Sequence, residues 1–286
     1  MNEEKLKGEK LKSGKMKDAM DKKIGFIGSG YIAEAIISGI VKTCCSAKNI
    51  FISDINNSRA NFVCRKYRVV KCSGNLSVVK SSDIIFITVK PNQIADVLEE
   101  IAGNFDNRKL LISVAAGIKT SKIEKYLGKV SVVRVMPNTP ALIGIGAIAL
   151  TPGRYAKKSD LQSAKKLLSA CGIVVEVKEK DMDTVTAVSG SGPAYVFYVA
   201  EIMMKTAVKL GLEKEIAEKL VNQTLLGASK MLILSDDGPE VLRRKVTSKG
   251  GTTESAFKIL TKKKFGSILE KAIISAKKRA TKLSNG

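Results

Sequence analysis

The sequence predicts an α/β fold in which a parallel-sheet domain is followed by an all-helical domain. Three observations carry that expectation. From Lys23 to about residue 140, short apolar runs alternate with helical patterns, as strands do when crossover helices cover both faces of their sheet. The first of those runs ends in a glycine turn, Gly28-Ser29-Gly30, and a periodic helix follows at once. Beyond about Lys180 no strand pattern returns and long helical periods take over.

The elements follow in order. Residues 1–21 are lysine-rich and nearly free of large apolar side chains, so a mobile basic tail is expected. Ile24-Gly25-Phe26-Ile27 reads as a strand. After the glycine turn, Ile32, Ala33, Ala35, Ile36, Gly39 and Ile40 mark one face of a helix. Gly28 and Gly30 let backbone approach a ligand closely, and Ala33 lets the helix sit near the strand. The free N–H groups and positive dipole end at the helix start suit a pyrophosphate. A second strand, Ile50-Phe51-Ile52-Ser53, ends at Asp54, about where such folds place the group facing the adenosine ribose. A βα turn with packing glycines would share the triplet alone, but strand, turn, helix and acid together define a Rossmann-type domain over residues 22–180.

A helix near 57–66, a short strand at Val69-Val70 and a helical turn from Asn75 come next. Buried-type strands follow at 83–89, 110–114 and 131–135, with a helix over 93–101 between the first two. Residues that break the apolar pattern fall at the strand ends: Val89-Lys90-Pro91, Ala115-Ala116-Gly117 and Asn138-Thr139. Ligands sit at such ends. In the helical part, 181–286, Ser191-Gly192-Pro193 opens a helix running to about Leu210 with apolar residues nearly all round. That composition demands burial in a domain or against another subunit. A helix over 214–234 stops at Asp236-Asp237-Gly238-Pro239, and a last one spans 265–282.

Composition narrows the chemistry. The 286 residues include no histidine, which excludes histidine-based hydrolases, histidine metal sites and dehydrogenases with a histidine acid. No metal is expected. Five cysteines without C-x-x-C spacing read as free thiols of a reducing compartment. The chain shows neither an apolar signal core nor a membrane-length apolar run, so a cytoplasmic protein is expected. The formal net charge of +22 is partly local: residues 241–286 hold thirteen basic residues against Glu254 and Glu270. Without aromatic or zinc-binding signatures this reads as a solvated basic face, and no nucleic-acid partner is expected.

A second candidate site lies in Val246-Thr247-Ser248-Lys249-Gly250-Gly251-Thr252-Thr253, which leads into a helix near Thr253. Hydroxyls and backbone N–H groups there form a cradle for a carboxylate. Ordinary capping by Thr252 or Thr253 would leave the same pattern.

In the blocks IGFIGSGYIAEAI, ITVKP, SVAAGI, RVMPNTPALIGIG, DTVTAVSGSGPAYVF and VTSKGGTTESAF, taken in that order, the chain resembles the pyrroline-5-carboxylate reductases from about Lys23 to Ser284. The resemblance implies hydride transfer from NADPH or NADH to the C=N of 1-pyrroline-5-carboxylate, giving L-proline, the last step of proline biosynthesis. It implies a homodimer through the helical domain, which would also bind the substrate, and possible assembly into a larger ring. Ile27, Gly28, Ser29, Gly30, Tyr31 and Ile32 would hold the pyrophosphate, and Asn75 the adenine-side ribose. Val89, Lys90 and Pro91, with Ala115, Ala116 and Gly117, would line the nicotinamide and its ribose, and Asn138 and Thr139 would close the pocket. Ser248, Gly250, Gly251 and Thr252 would bind the substrate carboxylate, and Thr253, the catalytic candidate, the ring nitrogen. Asp236 stands where the family often has a glutamate near that nitrogen.

Two departures stand out. Lys249 replaces the proline usual after Ser248, which loosens the loop but adds a cation. Asp54 stands where NADPH-preferring members tend to carry a small hydroxyl or basic residue. Its carboxylate favours a 2′-hydroxyl over a 2′-phosphate, and so NADH, with Arg59 the counter-argument if it folds back. The rival reading is another imine or β-hydroxyacid reductase of the same two-domain plan.

Overall fold

The computed structural model describes residues 21–285; the expected basic tail lies, apart from Asp21, outside them. The chain divides into two compact units, one of residues 21–193 with 275–285 and one of residues 194–274.

The first unit is built on an eight-stranded sheet. Its strands are β1 (Ile24–Ile27), β2 (Ile50–Ser53), β3 (Val70–Lys71), β4 (Ile84–Ile87), β5 (Leu110–Ser113), β6 (Ser131–Met136), β7 (Gly146–Pro152) and β8 (Gly172–Glu176), in the order β3-β2-β1-β4-β5-β6-β7-β8. β1 to β6 are parallel, β7 runs antiparallel to β6, and β8 is parallel to β7. The helices of this unit are α1 (Tyr31–Thr43), α2 (Asn57–Tyr67), α3 (Asn75–Ser81), α4 (Ile94–Ile101), α5 (Thr120–Leu127), α6 (Lys158–Leu168) and α7 (Met182–Val185).

Two-residue periodicity divides the core between the faces of the sheet. Ile84 and Phe86 of β4 point to one face, where α1, α2 and α6 pack; Ile85 and Ile87 point to the other, against α3, α4 and α5. Phe26 and Phe86 are register partners on β1 and β4 and stack with ring centroids 4.7 Å apart. The strand order reverses direction between β1 and β4, so a crevice opens at their carboxyl ends.

The expected strand at Val69-Val70 is observed one residue later, as a two-residue bridge at the sheet edge. β7 and β8 were not among the expected strands: the run before Leu150 is broken by Gly144 and Gly146, and β8 is a half-exposed edge with Ile173 and Val175 in solvent. A π-helical turn, Thr186–Gly190, joins α7 to the long α8 (Gly192–Lys209).

The second unit is helical. It holds most of α8, then α9 (Lys214–Leu234), α10 (Pro239–Lys245), α11 (Thr252–Lys262) and the first half of α12 (Phe265–Asn285). Pro239 does not merely stop the preceding helix, as its sequence suggested; it opens α10, at the helix position where its missing N–H is harmless. None of the α8 side chains is buried, and Val196, Phe197, Tyr198 and Ile202 are exposed. Of the two expectations for this apolar helix, burial within its own domain is not observed.

Candidate functional site

The crevice at the carboxyl ends of β1 and β4 is a pocket of about 370 Å³. Ile27, Gly28, Gly30, Asp54, Asn75, Val89 and Lys90, seven of the expected cofactor residues, line it together with Ile55, Asn56, Arg59, Thr88, Gln93 and Val97. Gly28 has φ +95° and lies so near Thr88 that a Cβ would approach its backbone to 3.0 Å; only glycine fits there. The turn is fixed from both sides: Gly28 N–H donates to the Ser53 carbonyl at 2.8 Å, and the Thr88 hydroxyl donates to the Gly28 carbonyl at 2.8 Å. Gly30 caps α1 without a side-chain bond, and a Cβ there would meet nothing within 4 Å. The space beside Gly30 is thus open at the start of α1, and an uncapped helix start of this kind fits a pyrophosphate.

Asp54, on the wall of the crevice, is also bonded within the turn. One of its oxygens accepts from Ser29 N–H (2.6 Å) and the Ser29 hydroxyl (2.8 Å), the other from Asn56 N–H (2.8 Å). The first oxygen is saturated; the second keeps one acceptor position. Arg59 does fold back: its Nε donates to the Ser29 carbonyl at 2.7 Å, its Nη2 pairs with Glu34, and its guanidinium lies 5.2 Å from the Tyr31 ring centroid. Glu34, buried on α1, also accepts from Lys66 (2.9 Å) and Tyr67 (3.0 Å). Burial pushes its carboxyl upward, but the bonds from Lys66, Arg59 and Tyr67 prevail and hold it below the usual range.

Asn75 bridges two elements, accepting from the Ser53 hydroxyl (2.8 Å) and donating to Glu100 (2.6 Å). Ala115, Ala116 and Gly117 follow β5, which is paired in register with β4, so they lie beside Thr88 and Val89 along the same edge. Asn138 and Thr139 follow β6. The Asn138 side chain is spent on structure, donating to the Ser189 carbonyl (3.2 Å) and accepting from Ala147 N–H (2.9 Å). Pro91 opens the turn after β4. Ser29, Tyr31, Ile32, Pro91, the 115–117 loop, Asn138 and Thr139 do not line the pocket. Thr88, directly after β4, and Gln93, at the end of the turn that follows, do line it; the sequence singled out neither as a cofactor residue, and only the fold brings them to the crevice.

In the helical unit, the turn before α11 holds the other expected residues. Gly250 has φ +75°, and the Gly251 N–H donates to the Ser248 carbonyl at 3.1 Å. α11 begins at Thr252, and its N-cap is Gly251, which forms no side-chain bond. Ordinary capping by Thr252 or Thr253 is therefore not what these residues do. Ser248, Lys249, Gly250 and Thr252 are exposed, and Glu254 accepts from Gly250 N–H at 3.1 Å. Asp236 lies between α9 and α10, next to an Asp237 N–H that donates to the Ser235 hydroxyl at 3.1 Å.

Among the described residues, no acidic or cysteine cluster could hold a metal ion and all five cysteines are free. Burial pushes the Cys45 and Cys171 thiols up to about 11, so neither supplies a thiolate at neutral pH.

A glycine turn and bare helix start at the crossover of a parallel sheet define a dinucleotide-binding α/β protein with a separate helical unit. Comparison with known proteins narrows this class. The family described as pyrroline-5-carboxylate reductase dimerisation matches residues 179–283, and that described as NADP oxidoreductase, coenzyme F420-dependent, matches residues 23–117. The chain is 38% identical over 267 residues to pyrroline-5-carboxylate reductase 1 of Bacillus spizizenii, covering 92% of this chain and 90% of that protein. Its fold matches the pyrroline-5-carboxylate reductase of Coxiella burnetii with TM-score 0.84 at 36% identity, covering 92% and 98% of the two chains. The Plasmodium falciparum pyrroline carboxylate reductase with NADP bound matches with TM-score 0.84 at 31% identity, covering 93% and 99%. The chain belongs to the pyrroline-5-carboxylate reductase family. It is an NAD(P)H-dependent oxidoreductase of proline biosynthesis with a C-terminal dimerisation domain. No helix among the described residues is long and apolar enough to cross a membrane.

Proposed function

We propose how this chain divides the reaction: residues 22–180 carry the dinucleotide, and residues 181–286 hold the imino acid and the dimer contact. The observation that supports the division is a pair of helix starts without side-chain caps, at Tyr31 and Thr252, each closely preceded by a positive-φ glycine. Uncapped helix starts of this kind take anions: a pyrophosphate at the first and a carboxylate at the second. There the Gly250 and Gly251 N–H groups are already bonded, and the first-turn N–H groups of α11 would receive the carboxylate.

When bound, the reduced nicotinamide supplies the hydride and its electron pair. The chain supplies position. Ile27, Gly28, Ser29, Gly30, Tyr31 and Ile32 hold the pyrophosphate, and Asp54 and Asn75 the ribose beside it. Val89, Lys90, Pro91, Ala115, Ala116 and Gly117 flank the nicotinamide end, and Asn138 and Thr139 close it, Asn138 through the segments it ties together. Ser248, Gly250, Gly251 and Thr252 grip the substrate carboxylate, with the Lys249 cation nearby. The Thr253 hydroxyl bonds the ring nitrogen, with Asp236 near it. A substrate protonated on nitrogen needs no strong acid: hydride adds to the ring carbon, the C=N π pair becomes the nitrogen lone pair, and proline results. This suits a chain without histidine.

NADH is the preferred donor in this reading. Asp54 retains one acceptor position for a 2′-hydroxyl, and the charge of Arg59 is already paired with Glu34, so little remains to attract a 2′-phosphate. A cytoplasmic homodimer through the helical unit, assembled further into a ring and without nucleic-acid or membrane partners, completes the proposal; the exposed apolar face of α8 and the free thiols support it.

The test is a substrate panel followed by NADH and NADPH oxidation. Turnover with pyrroline-5-carboxylate, faster with NADH, is expected. Preferential turnover of a β-hydroxyacid or another imine would overturn the substrate assignment, and a preference for NADPH the cofactor assignment.

A further inference from the structure

We infer that the end of α12, residues 281–284, is a positioning element for the cofactor loop 115–117, and that Asp183 holds it in place. The inference rests on the proposed assignment of that loop to the nicotinamide end. Leu283 lies directly on Gly117: a Cβ at Gly117 would come within 2.8 Å of the Leu283 Cβ and 3.0 Å of its carbonyl carbon. Gly117 also has φ +75°, so loop and helix end fit each other only with glycine there.

The helix end is tied down by name. Asp183 accepts from the Thr281 hydroxyl at 3.0 Å and the Ser284 hydroxyl at 2.7 Å. Arg134 of β6, with its side chain 3% exposed, lies behind: its Nη2 is 3.8 Å from Asp183, and its Nη1 donates to Glu179 at 2.6 Å. The other Glu179 oxygen accepts from the Thr120 hydroxyl at 3.0 Å. Thr120 begins α5, three residues after Gly117.

The loop is thus held twice, at Gly117 by the helix end and at Thr120 through Glu179, and one buried cation joins the two holds. A buried guanidinium is tolerated only with its carboxylates in place, which makes the arrangement definite rather than adjustable. The same Arg134 sits on the strand that leads to Asn138 and Thr139. Small displacements of such a support cost binding and rate far more than its distance from the chemistry suggests.

The test uses the full-length enzyme, Asp183→Asn, Thr281→Ala, Thr281→Ser and a deletion of residues 281–286, with Arg108→Ala as an exposed ion-pair control. NADH and NADPH affinities come from fluorescence titration, kinetic constants from steady-state assays, and folded fraction from circular dichroism. Asp183→Asn and the deletion are expected to weaken dinucleotide binding about tenfold while KM for pyrroline-5-carboxylate stays within about twofold. Thr281→Ala should weaken it less and Thr281→Ser restore it; Arg108→Ala should change nothing. If Asp183→Asn does not fold, the deletion and the Thr281 pair decide. Folded variants that bind dinucleotide as wild type does, or whose constants all fall in step with the folded fraction, would overturn the inference. Wild-type enzyme that binds neither dinucleotide would instead refute the assignment of the sheet crevice.

Discussion

Asp54 is a residue with two duties, and their separation is measurable. It holds Ser29 by both N–H and hydroxyl, and it presents its remaining acceptor position to the crevice. Asp54→Ser should weaken both dinucleotides through the loosened turn, yet shift the NADPH-to-NADH ratio of kcat/KM upward by about tenfold, roughly 1.4 kcal/mol. An unchanged ratio would show that Asp54 does not read the ribose. Thr253→Ala should lower kcat/KM about tenfold or more, since a lost contact to a charged group costs about 1.5–3 kcal/mol; wild-type kinetics would remove Thr253 from the site. Glu34 sets a pH dependence. Its folded-state pKa lies below the ordinary value, so the stability it contributes is fully present above the carboxylate range and is lost as pH falls through the lowered value. Urea midpoints from pH 7 down to about 3 should fall more steeply for wild type than for Glu34→Gln. Parallel curves would deny Glu34 that role. At this scale the sequence marked Asp54 by its spacing from the glycine turn and named Arg59 as a cation that would matter if it folded back. It could not mark Thr88, whose hydroxyl matters only once β4 lies beside β1.

Elements were legible where burial wrote a pattern. β1, β2, β4, β5 and β6 are covered on both faces, so their apolar runs stood out against polar turns. β8 was illegible for the opposite reason, being an edge with no continuous buried face, whereas β7 is buried but its apolar run merges with the glycine-broken segment before it. The π turn at Thr186–Gly190 leaves no mark in periodicity, since one extra residue per turn is invisible in so short a segment. α10 hid behind Pro239, which reads equally as an end or a beginning. Packing between elements is testable at Gly39, on the face of α1 that meets the turn before β8. A Cβ there would lie 2.9 Å from the Ala170 carbonyl oxygen and 2.9 Å from the Cys171 sulfur. Helix propensity favours alanine by about 1 kcal/mol, but overpacking against backbone costs about 1–3 kcal/mol. Gly39→Ala should therefore destabilise the protein by about 1 kcal/mol, read as a lowered Tm; a raised Tm would mean that the turn yields.

Across the whole molecule, the two units have different sources of stability. The sheet unit buries its own core, whereas α8 leaves Phe197 64% and Tyr198 63% exposed in the single chain. So many large apolar side chains on one helix need a partner surface, in keeping with the dimerisation family matched over residues 179–283. Phe197→Glu should shift the protein toward monomer in analytical ultracentrifugation; an unchanged assembly would place the contact elsewhere. The two-part architecture was readable from the loss of strand pattern near Lys180, but the return of residues 275–285 to the sheet unit was not. Those contacts, Leu283 on Gly117 and two hydroxyls on Asp183, join residues more than ninety positions apart, and no local pattern records such a pairing. The central claim is that the imino acid is gripped by its carboxylate at the turn before α11. A crystal of the enzyme with oxidised cofactor and L-proline tests it most directly. The account predicts proline with its carboxylate on the N–H groups of the 248–253 turn and its ring nitrogen beside the Thr253 hydroxyl. Proline bound anywhere else would contradict it.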